Sequence, residues 1–97
     1  MKKQQSFTFI DGEFSATESL EILQSVFSSK IQFHQVKNFS SQERFGHDDA
    51  TAVMRIPQLR KSIEEIKKMI ETAAKEGDKL QLKSDIVINC ITVPKSV

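Results

Sequence analysis

Glu43, Arg44, His47, Asp48 and Asp49 fall within seven residues of one another, the densest gathering of chemically capable side chains in this sequence. Such a set could bind a divalent metal through hard oxygen ligands, or hold a phosphate on the Arg44 guanidinium. The acids also have a simpler use. Aspartates just ahead of a helix satisfy its first amides and face the positive end of its dipole, which accounts for Asp48 and Asp49 without a ligand. Ser40 and Ser41 lie beside them, but nothing in the sequence fixes a base or an oxyanion hole near either hydroxyl.

His34 shares a helical stripe with Phe27 and Ile31, so it is expected as a structural histidine, half-buried and donating to a carbonyl or to a residue of the next connector. His34, His47 and Asp48 have no spacing comparable to a helical HExxH zinc site. Cys90 is the one cysteine. It cannot close a disulfide within the chain, belongs to no CxxC pair, and alternates with Ile86 and Ile88 onto an apolar strand face, so it reads as a small core residue. No metal and no cofactor is expected.

The elements that would position these residues follow from periodicity. Ser6 to Ile10 alternates Phe7 and Phe9 against Ser6, Thr8 and Ile10, as a strand does, and Asp11-Gly12 is a turn dipeptide after it. Ser15 and Glu18 have capping-box spacing, and Leu20, Leu23, Phe27 and Ile31 recur at steps of three and four, which predicts a helix from about Ala16 to Asn38. Asn38 is the stop signal. The alternative is a strand at 30–37, where Ile31, Phe33 and Gln35 alternate, and it would make the order βαβαβ.

Phe39 to Asp49 reads as the connector, with a short turn at Ser40–Glu43 and a cap at Asp48 or Asp49. Ala52, Ile56, Leu59, Ile63, Ile66, Ile70 and Ala73 then alternate steps of four and three through Pro57, the seam of a helix from Ala50 to Glu76 that Gly77 ends. Glu64–Lys68 and Glu71–Lys75 are favourable pairs on its flank. Leu80 to Val93 is one long strand stopped by Pro94. The expected fold is α+β, β-α-α-β, a long antiparallel helical hairpin packed on a small antiparallel sheet.

The chain has 97 residues, 28% charged and 38% hydrophobic, enough for one domain spanning 1–97. Fourteen Lys and Arg against 13 Asp and Glu leave a net charge of +1. That near-balance removes the electrostatic argument for a nucleic-acid or acidic-membrane binder. Arg55, Arg60, Lys61, Lys67 and Lys68 could line a nucleic-acid backbone, but Glu64, Glu65 and Glu71 sit among them and no aromatic interleaves to stack bases. No unbroken apolar run exceeds three residues, as at Ile86 to Ile88, against about 20 needed to span a bilayer. No secretory signal is read at the start, and a reducing, cytoplasmic setting is expected.

A thin core and a two-stranded sheet make self-association the economical arrangement, with Phe7, Phe9, Ile88, Ile91 and Val93 buried across a twofold axis; a monomer whose strands wrap the helices is the alternative. The resulting expectation is a non-enzymatic, homodimeric protein–protein interaction module. Arg44, Phe45, His47 and Asp48 are its candidate contact residues for a protein partner or ligand, although Phe39 and Phe45 could merely plug the hairpin end. A small metal- or ligand-binding enzyme using the connector is the second reading, and an RNA- or DNA-binding module the third.

Overall fold

A computed structural model describes residues 3–94. The element order is β-α-α-β, as expected: β1 Gln4–Phe14, α1 Ala16–Phe45, α2 Ala50–Glu76 and β2 Leu80–Asn89. The fold is α+β, a helical hairpin and a two-stranded antiparallel sheet. The chain divides into two compact units, a helical one from Phe14 to Leu80 and a strand ribbon whose described residues are 3–13 and 81–94.

In the helical unit, Ser15 begins α1 with a complete capping box. The Glu18 amide donates to Ser15 Oγ at 3.1 Å, and the Ser15 amide donates to Glu18 Oε1 at 3.0 Å. α1 does not stop at Asn38. The run FSSQERF contains no backbone breaker, and the helix continues to Phe45, where Gly46 takes the left-handed conformation at φ 71° and closes it. Asn38 serves the next helix instead, its Oδ1 accepting from the Asp49 amide at 2.7 Å. The expected connector of Phe39 to Asp49 therefore shrinks to Gly46–Asp49, Ser40–Glu43 is interior helix rather than a separate turn, and residues 30–37 are helix rather than strand.

α2 has the expected bounds. Asp49 caps it, with Oδ2 accepting from the Ala52 amide at 2.9 Å, and the helix runs through Pro57 to Gly77 at φ 74°. The seam is its covered side: Ala52, Leu59, Ile70 and Ala73 are buried, and Ile56, Ile63 and Ile66 half-buried. α1 packs along α2. The exposed flank carries a Lys67–Glu64 ion pair at 3.8 Å instead of the expected Glu64–Lys68.

In the ribbon, β1 passes straight through Asp11-Gly12. Gly12 has no positive φ, so the dipeptide never takes the mirror-image turn that its sequence suits, and the strand extends to Phe14. The Cys90 amide donates to the Lys3 carbonyl at 2.9 Å, which pairs the far ends of the strands. β2 ends at Asn89, four residues before Val93. Cys90 is exposed and not a core residue, because a ribbon of two strands has no third strand to lay over its end. Phe7, Phe9, Ile86 and Ile88 are likewise about half exposed.

Candidate functional site

The four sequence-selected residues do come together, at the tip of the helical hairpin, but on different supports. Arg44 and Phe45 belong to the last turn of α1, while His47 and Asp48 lie in the tight loop. The loop consumes much of its own polar chemistry. Gln42 Nε2 donates to Asp48 Oδ1 at 2.6 Å, Ser41 Oγ donates to the His47 carbonyl at 2.9 Å, and the Asp49 carboxylate is held as the α2 cap. His47 Nδ1 lies 3.0 Å from the Asp48 carbonyl, a contact that requires the proton on Nδ1. These bonds clamp a four-residue turn between two long helices. Two of the acids that might have ligated a cation are thus spoken for, and among the described residues no three of His, Cys, Asp and Glu are grouped to hold one.

What the tip presents outward is an aromatic plate. The Phe45 and His47 rings stack with centroids 5.8 Å apart and planes 20° apart, and Phe45 is 68% exposed. Arg44 beside them forms no salt bridge among the described residues. An exposed aromatic next to an unpaired guanidinium suits contact with a partner surface, where aromatic and arginine side chains concentrate binding energy. Phe45 does not plug the hairpin end.

His34 is buried more deeply than expected, at 5% exposure, and neither ring nitrogen has a hydrogen-bond partner. Its ring meets Phe33 edge-on at 5.4 Å. Ser19, on the same side of α1, is fully buried with its hydroxyl also unpartnered. The inward side of α1 is therefore apolar at Leu23, Phe27 and Ile31 but polar at His34, Asn38 and Ser41.

The complement of that polar interior is an apolar exterior, which the sequence reading did not select. Phe33, Val36 and Phe39 are 54, 59 and 61% exposed. Steps of three residues rotate each by about 60°, so the three cover an arc of about 120° on the side of α1 opposite His34. From Ile22 to Gln42 the helix has no acidic residue and two cations, Lys30 and Lys37, whose Nζ atoms stand 5.0 and 5.9 Å from the Phe33 ring centroid. The signal was present as the spacing Phe-x-x-Val-x-x-Phe in a stretch lacking carboxylates. Periodicity marks a hidden face and an outward one alike, so that spacing alone does not single the row out.

No protein-family model matches the chain, and no curated protein or solved structure matches it. No helix among the described residues is long and apolar enough to cross a membrane.

Proposed function

We propose that this chain is a non-enzymatic, self-associating protein–protein interaction module. The observation that carries the reading is the distribution of large apolar side chains: among the described residues Leu59 and Ile70 are buried, whereas Phe33, Val36, Phe39 and Phe45 on α1 all lie more than half exposed. Burying apolar surface is worth about 25 cal/mol per Å² removed from water, so an outward-facing row of such residues is a standing gain for whatever covers it. The ribbon adds Phe7, Phe9, Ile86 and Ile88, again about half exposed. The aromatic plate and Arg44 at the hairpin tip offer a further contact for a protein partner. The near-neutral charge favours a protein partner over a polyanion.

Sedimentation equilibrium of the whole chain over a hundredfold concentration range tests this. A mass that rises toward twice the chain's 11.0 kDa supports it. A mass fixed at 11.0 kDa throughout overturns self-association.

A further inference from the structure

We propose that the exterior of α1 centred on Val36 is a twofold interface on which a second copy of this chain lies antiparallel. The inference rests on the self-association reading and names its surface. The argument is self-complementarity. In an antiparallel pairing about Val36, residue i of one copy faces residue 72 − i of the other, so Val36 meets its own counterpart and Phe33 meets Phe39 in both directions. A twofold interface demands this reciprocity, and the even spacing of these three apolar residues supplies it.

The flanks agree with the core. Ser29 and Ser40 lie on the same outward arc as the three apolar residues and both are exposed, so small side chains border the contact and let two helices approach. Lys30 of one copy comes within one residue of the level of Glu43 of the other, and Glu43 is the first acidic residue of α1 after Glu21. Each end of the interface would therefore bring one lysine at the rim and one glutamate on the contact arc to nearly the same level, opposite charges within reach of long side chains. Neither Lys30 nor Glu43 is committed to a salt bridge within the chain among the described residues. Lys37 and Lys30 lie beyond Phe33 on the side of the helix away from Val36, so their two ammonium groups would remain at the rim, where charge belongs in an interface.

The test uses the whole chain with Cys90→Ser, because Cys90 is exposed and would form disulfides of its own. In that background Val36→Cys should oxidise to a covalent dimer, since the twofold axis brings the two sulfurs together. Gln42→Cys should not, because its two copies would lie about 18 Å apart along the helix axes. Val36→Glu, which places two carboxylates face to face, should convert the dimer to a monomer of 11.0 kDa with its circular dichroism retained. Should Val36→Glu fail to fold, the disulfide result still decides. A parent that is dimeric, with Val36→Glu still dimeric and Val36→Cys no more cross-linked than Gln42→Cys, overturns this surface while leaving self-association standing. A parent that is monomeric at every concentration overturns both.

Discussion

α1 and α2 are of similar length and pack on each other, and α2 also leaves Val53, Met54 and Met69 more than half exposed, but only α2 buries large apolar side chains and only α1 exposes a row of aromatic ones. α2 turns Leu59, Ile70 and the half-buried isoleucines of its seam toward the hairpin core. α1 does the same only as far as Ile31, and beyond that it buries His34 and faces Phe33, Val36 and Phe39 outward. The far half of α1 combines a buried imidazole without partners and an exposed phenylalanine row, both unfavourable in an isolated hairpin, and is where we propose that a second copy binds.

The contrast is sharpest in truncation. Ile70→Ala should destabilise the chain by about 2–5 kcal/mol in thermal or urea unfolding, and Val36→Ala, measured at dilution where chains are separate, should change it by less than about 0.5 kcal/mol. Equal costs would erase the distinction between the helices. His34→Leu comes next. It replaces two buried, unpartnered ring nitrogens by an apolar side chain and should raise stability by about 1–3 kcal/mol. A loss of stability would mean that His34 is held by a partner and that the interior of α1 is not frustrated.

At the hairpin tip, Asp49→Ala should cost about 1 kcal/mol through loss of the α2 cap. Glu18 gives the smallest effect and one with a defined pH dependence. The Ser15 amide and hydroxyl, with a lesser contribution from Lys79, hold its carboxyl below the ordinary carboxylate value. The folded chain therefore binds the proton less readily than the unfolded chain, and the resulting stability is present above the ordinary value and lost as pH falls through the lowered one. Glu18→Gln should thus be less stable than the parent near neutral pH, and the gap should close in acid. A gap independent of pH would show that the carboxylate charge contributes nothing to the cap.

How far the fold was legible follows the same division. α2 could be read to both ends because its seam, its Asp49 cap and its terminal Gly77 all point to one helix. The Ser15–Glu18 box was equally plain. α1 was read seven residues short because Asn38 is a stop by residue type, whereas its amide oxygen here serves Asp49 across the hairpin, a contact no local pattern reveals. The Asp11-Gly12 pair misled for a related reason: it permits a turn without requiring one, and β1 continues extended through it. Alternation tells which residues share a face and not whether anything covers that face, so Cys90 reads as a core residue from the sequence although it is exposed. Of the candidate site, the residues at the hairpin tip were legible from their charge and spacing. The outward row on α1 is written in the sequence as Phe-x-x-Val-x-x-Phe without carboxylates, but spacing does not tell whether such a row is covered within the chain.

The central claim, that the far half of α1 faces a second copy, is tested most directly by following backbone amide chemical shifts of the whole chain through a dilution series. The account predicts that dilution moves the resonances of residues 29–43 foremost, centred on Val36, while those of the α2 seam at Leu59 and Ile70 stay in place. Spectra that do not change with concentration, or changes confined to β1 and β2, would contradict it.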